Sequence, residues 1–282
     1  VIVGGTDRGN SMQIARVTVA ICVSIAGCVA AWADAVVDAA KLNDQAAVLA
    51  MIAAGEGVAE ANGDGTTALH WAVYNGNLTL VDALLSAGAD PNSINEYGSS
   101  PMSEAAVTGD SRLIARLLEA GADPESPNAD GQTALMIVAR SSNTDAAELL
   151  LEAGADPNAT ERWRGQTALM WAAAQRQPEM VRLLVARGAE VDARSVVNDW
   201  ERQVSAEARR HYRPSGGLTT LLFAARQGCA ACAEALIEAG ANIELTDPES
   251  VTPLFLAIDN LHYDTAKILI EAGANPNRWD RW

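Results

Sequence analysis

From Thr67 onward two kinds of short apolar run alternate along the chain, with polar turns between them. The first kind is rich in small residues, as at Ala72, Ala105-Ala106, Ala172-Ala173 and Ala224-Ala225. The second ends on an aliphatic doublet: Leu84-Leu85, Leu117-Leu118, Leu150-Leu151, Leu184-Val185, Leu236-Ile237 and Leu269-Ile270. Apolar positions at helical spacing over runs this short predict brief amphipathic helices, arranged in pairs. Each first run opens on a hydroxyl, at Thr67, Ser100, Thr133, Thr167, Thr219 and Thr252. Such a side chain caps a helix by accepting a hydrogen bond from an unpaired N–H of the first turn. Pro101 and Pro253 come next, where a missing N–H costs nothing. Each second run stops at a glycine, at Gly88, Gly121, Gly154, Gly188, Gly240 and Gly273. Glycine adopts a left-handed cap most easily. Turns rich in Asp, Asn and Pro follow, as in ADPN at 89–92 and 155–158.

The hydroxyls stand 33, 33, 34, 52 and 33 residues apart, and the glycines repeat the same series. Two landmarks on one ruler make the helix pair a repeating unit, and GQTALM accordingly appears at 131–136 and again at 165–170. Stepping back once more reaches Asp34 and Gly55, which marks a weaker first repeat. One helix pair cannot bury its apolar face alone, so the repeats must stack. A period of 33, TALHWA at Thr67–Ala72, the helix-ending GAD-P-N and a polar turn together resemble the ankyrin repeat, over residues 34–282.

The resemblance implies an all-α fold: an ankyrin-repeat α-solenoid of about seven helix pairs whose β-turn fingers project sideways. The repeats would lie near 34–66, 67–99, 100–132, 133–166, 167–191, 219–251 and 252–282. Only His70 keeps the family histidine; its slot elsewhere holds Ser103, Met136, Met170, Leu222 and Phe255, so that its hydrogen bond is expected to be mostly replaced by apolar packing. Trp279 and Trp282 fall where the next finger would begin, from which at least one further repeat is expected.

The 52-residue interval contains an insertion, 192–216. Within it residues 198–212 read as a helix, capped by Asn198 and ended by Pro214 and Gly216-Gly217. Trp200, Val204, Ala208 and Tyr212 form an apolar stripe that would dock on the array or bind a partner.

Before the repeats, Met12 opens a short basic start, Val17–Ala33 is uncharged, and Ala31-Trp32-Ala33 precedes Asp34. This reads as a secretory signal over 12–33, with 1–11 as an upstream extension, and places the protein in the periplasm or outside the cell. A lipid on Cys28 or an uncleaved signal would be its route to a membrane.

The formal charge of −16 argues against nucleic-acid binding. It is unevenly spread. Residues 162–226 carry 11 arginines against 6 acids, a basic island on an acidic body. Its finger, Glu161-Arg162-Trp163-Arg164, combines residue types enriched at binding hot spots. The partner expected is a protein, one with an acidic patch in particular, and not a small-molecule substrate. The alternative is that these arginines neutralise the array internally.

The resemblance implies recognition through finger tips and the exposed face of each first helix. The matching residues are Tyr97, Asp130 and Trp163 on fingers, and Tyr74, Asn75, Thr108, Arg140, Gln175, Arg226 and Asp259 on helices. Glu104 is added because its column otherwise reads Trp71, Ile137, Trp171, Phe223 and Leu256, so a charge there is solvent-facing or paired. Trp200 joins them from the insertion.

Cys229 and Cys232, in a C-x-x-C at a helix start, allow a structural disulfide, free thiols or a redox site. Cys232 falls in an aliphatic core slot, and no thioredoxin-like pattern surrounds the pair. His262 stands one repeat beyond Cys229, but zinc would need further ligands. No nucleophile triad, phosphate loop or H-E-x-x-H is present, so neither catalysis nor a cofactor is expected.

Overall fold

The computed structural model describes residues 35–55, 57–198 and 215–278. The chain falls into two compact blocks, Val1–Asp90 and Pro91–Trp282. In the first, the described residues form α1 (35–41), α2 (Gln45–Ala53), α3 (Ala68–Tyr74) and α4 (Leu78–Ser86), with α4 packed on α2 and α3. The second block runs α5 (Pro101–Thr108), α6 (Ser111–Glu119), α7 (Ala134–Val138), α8 (Thr144–Glu152), α9 (Ala168–Ala174) and α10 (Pro178–Ala186). It continues through β1 (Val197–Asn198), β2 (Ser215–Gly216), α11 (Thr220–Gln227), α12 (Ala230–Glu238), α13 (Pro253–Asp259) and α14 (Tyr263–Glu271).

Within this block first helices pack on first helices: α5 on α7, α7 on α9, α9 on α11, α11 on α13. Second helices do the same, α6 on α8 and onward to α14. Two-residue strands aside, the fold is the helix-pair solenoid that the spacing implies.

The landmarks have the local roles their chemistry suggests. Thr67, Ser100, Thr133, Thr167, Thr219 and Thr252 are all N-caps, each accepting from the N–H three residues on. His70 Nδ1 returns the bond by accepting from Thr67 N–H, and Ser103 Oγ does so from Ser100 N–H. Serine thus keeps a bond that apolar packing replaces in the later repeats. The helix-ending glycines have positive φ; Gly88 N–H donates to Leu85 O and Ala89 N–H to Leu84 O, closing the helix end.

The doublets divide. In each the first member is buried and the second is partly or wholly exposed, since consecutive helical residues point about 100° apart.

A ladder of side-chain bonds joins one repeat to the next. Asn92, Glu125, Asn158, Asp192 and Glu244 each accept from a backbone N–H about one repeat further on, at Asp123, Asp156, Glu190, Asn242 and Asn275. Partial burial at this position, more than any other influence, raises the pKa of Glu125; the charges of Asp156 and Asp123 act in the same direction.

The insertion leaves the stack intact, because α9 packs on α11 and α10 on α12. The extra chain leaves and returns through an antiparallel stem in which Val197 pairs with Gly216 and Asn198 with Ser215, while Arg194 bridges Thr219. Asn198, expected to cap a helix, pairs with Ser215 as the last described residue of the outgoing strand. The rest of the helix expected over 198–212, including Trp200, lies outside the described residues, as do Val17–Ala33 with Cys28, and Trp279 and Trp282. Among the described residues no helix is long and apolar enough to cross a membrane.

Candidate partner-binding surface

Each finger is shaped by one side chain that gathers backbone donors. Asn95 Oδ1 accepts from Tyr97 and Ser99 N–H, and Asn128 Oδ1 from Asp130 and Gln132 N–H. The next finger is one residue longer, which accounts for the interval of 34. There the longer Glu161 replaces asparagine: its buried carboxylate accepts from Trp163 N–H at 2.6 Å, Arg164 N–H at 2.7 Å and Gln166 N–H at 3.2 Å. Charge-assisted bonds of this kind are stronger than neutral ones.

The fingers lie side by side. Gly98 has φ +71° and a Cβ there would stand 2.9 Å from the Ala129 backbone, so the approach needs glycine. Arg162 N–H donates to Asp130 O at 3.2 Å, and Val196 N–H to Arg164 O at 2.7 Å. Trp163 Nε1 reaches Asp130 Oδ1 at 3.4 Å. Tyr97 and Trp163 remain 69% and 67% exposed along this row.

Behind the fingers, a cavity of about 280 Å³ is lined by Tyr97, Glu104, Val107, Asp130 and Ile137. Glu104 is half-buried and accepts from Ser99 Oγ, so the charge in the apolar column is hydrogen-bonded at a groove. A second cavity, of about 340 Å³, lies between the Glu161 finger and the insertion stem, with Arg164, Gln166, Phe223 and Arg226 among its walls.

The ends of the first helices carry cations over rings. Arg140 lies 5.0 Å from the Trp171 ring, and Arg226 5.0 Å from the Phe223 ring. In the first block Lys41 lies 5.3 Å from Trp71, which meets Tyr74 edge-on. Partial burial, and secondarily the like charge of Arg164, lower the Arg226 pKa. Tyr74, Thr108, Gln175 and Asp259 are exposed. Asn75 is committed to structure, its amide donating to Ala40 O.

The basic island divides in two. Arg182 pairs with Glu179, Arg187 with Glu148, and Arg194 donates to the carbonyls of Gly217 and Thr246. Among the described residues Arg162, Arg164 and Arg226 form no ion pair.

Cys229 and Cys232 are joined by a disulfide. Cys229 is the N-cap of α12, with Sγ accepting from Cys232 N–H, where other second helices use Asp44, Asn77, Asp110 or Asn143. Both cysteines are buried. His262 fills the same slot one repeat on, its Nε2 3.1 Å from Arg226 O. Among the described residues no group of His, Cys, Asp and Glu is arranged to hold a metal.

Comparison with known proteins settles the family. The profile for ankyrin repeats (3 copies) matches residues 36–128, 102–195 and 202–280. The chain belongs to the ankyrin-repeat family. Its structure is similar to the human ASB11 ankyrin repeat domain, with a TM-score of 0.67 and 22% identity, over 86% of this chain and 98% of that one. No curated protein sequence matches it.

Sequence reasoning overlooked two parts of this ankyrin surface. Val107 is 70% exposed and stands 33 residues after Tyr74, so the repeat ruler alone would have found it. Val196 and Val197 are exposed on the stem, and no signal in the sequence marks a stem there.

Proposed function

We propose that this ankyrin array is a non-enzymatic scaffold of the cell envelope that recognises a protein partner through its fingers and first-helix ends. Ankyrin repeats form protein-interaction scaffolds, and that much follows from the family. The finer reading rests on one observation: Tyr97, Asp130 and Trp163 stand on adjacent fingers beside Arg162 and Arg164, which form no ion pair among the described residues. Exposed aromatic and arginine side chains held on a rigid support are favourable hot-spot material. An acidic surface on the partner complements them. Export is proposed from the uncharged Val17–Ala33 stretch and the Ala31-Trp32-Ala33 pattern.

The competing thiol–disulfide reading draws no support from a pair whose sulfurs are buried, because exchange requires an accessible thiolate. The test is affinity capture from envelope extract with the Arg162→Glu, Arg164→Glu double variant. We expect at least a tenfold loss of captured partner at an unchanged melting temperature. Undiminished capture would overturn the assignment to this finger.

A further inference from the structure

We propose that the cavity between the Glu161 finger and the insertion stem is a subsite for a carboxylate side chain of an acidic partner segment. This rests on the protein-binding reading above and gives it a location. Arg164 and Arg226 border the cavity and form no ion pair among the described residues, and Arg226 is braced on the Phe223 ring, which holds its planar fork in place.

Gln166 supplies an independent indication. It is only 9% exposed, borders the same cavity, and its side-chain amide has no hydrogen-bond partner among the described residues. Its two side-chain N–H donors are therefore available to an acceptor in the cavity. In the preceding finger Asn128 Nδ2 donates to Gln132 Oε1; Glu161 stands where Asn128 would and has no N–H to offer, so Gln166 Oε1 lacks that donor, and it is the NH₂ of Gln166 that can serve a carboxylate.

The donors select the ligand. Two guanidinium forks and an amide are planar groups, which suit a planar carboxylate. Phosphate sites commonly rely on clustered backbone N–H groups, and several along this wall are already bonded. Val196 N–H donates to Arg164 O, Gly217 N–H to Val196 O, Leu218 N–H to Ser195 Oγ, and Ser195 N–H to Leu218 O. The Ser195 hydroxyl keeps its own hydrogen for an acceptor in the cavity.

The test is an NMR titration of the full chain with N-acetyl-glutamic acid α-amide, which carries a single side-chain carboxylate. The Gln166 amide and the Arg164 and Arg226 Nε–H resonances should shift together and saturate. The matching glutamine compound should leave them in place. Arg226→Gln should weaken the response at least fivefold, and Arg164→Gln, which alters only an exposed finger residue, should do likewise if the first variant misfolds. Equal shifts with both compounds, no saturation, or a stronger response to inorganic phosphate would overturn the subsite. Capture that depends on Trp163 without any probe response would defeat the subsite alone. A probe response without partner capture would instead defeat the scaffold reading.

Discussion

Replacing Glu161 with alanine is expected to destabilise its repeat by about 3 kcal/mol and to abolish partner capture. The magnitude follows from three charge-assisted hydrogen bonds lost from one buried carboxylate, each worth about 1.5–3 kcal/mol and far from additive. Truncation leaves the N–H groups of Trp163, Arg164 and Gln166 without their acceptor, and the finger loses the geometry that presents Trp163. Glu161→Gln should fall between the two, since one amide oxygen can still accept while its NH₂ confronts a backbone donor. Urea unfolding and capture on the same variants provide the check. A change below about 0.5 kcal/mol, the scale of ordinary surface substitutions, would refute the role given to this carboxylate.

The second large effect separates neighbours in one doublet. Leu150→Ala should cost about 2–5 kcal/mol, because Leu150 is fully buried in α8, which packs on α6, α7 and α10. Leu151→Ala, one residue later and only half-buried, should cost less than half as much. The loss should be felt first in adjacent repeats, since a solenoid is stabilised by nearest-neighbour interfaces. Equal costs at the two positions, read from denaturant midpoints, would contradict the packing described here.

Much of the fold was legible because its signals are local and recur. A hydroxyl cap acts three residues away, and a helix-ending glycine acts within one turn, so both left a 33-residue imprint. The inter-repeat ladder is equally regular but links residues such as Asn92 and Asp123 across about a repeat, where local propensity carries no information. Glu161 was placed on its finger but given no role of its own, because its three donors are backbone N–H groups that the sequence does not mark. The pairing of Asn198 with Ser215 left no mark in the sequence, because it is decided from the far side of the insertion. Cys229 was placed only at a helix start and is the cap itself, which sets its sulfur against Cys232 N–H. At the site, the exposed finger residues followed from the repeat register. That Arg164 and Arg226 form no ion pair among the described residues did not, because neutralisation by a distant acid is a property of three-dimensional packing.

Hydrogen–deuterium exchange on the captured complex tests the central claim most directly. Partner binding should slow exchange in the fingers at 95–99, 128–132 and 161–166 and at the exposed ends of α5, α7 and α9. Protection confined to the second helices, α6, α8 and α10, with the fingers unchanged, would contradict recognition along the finger row.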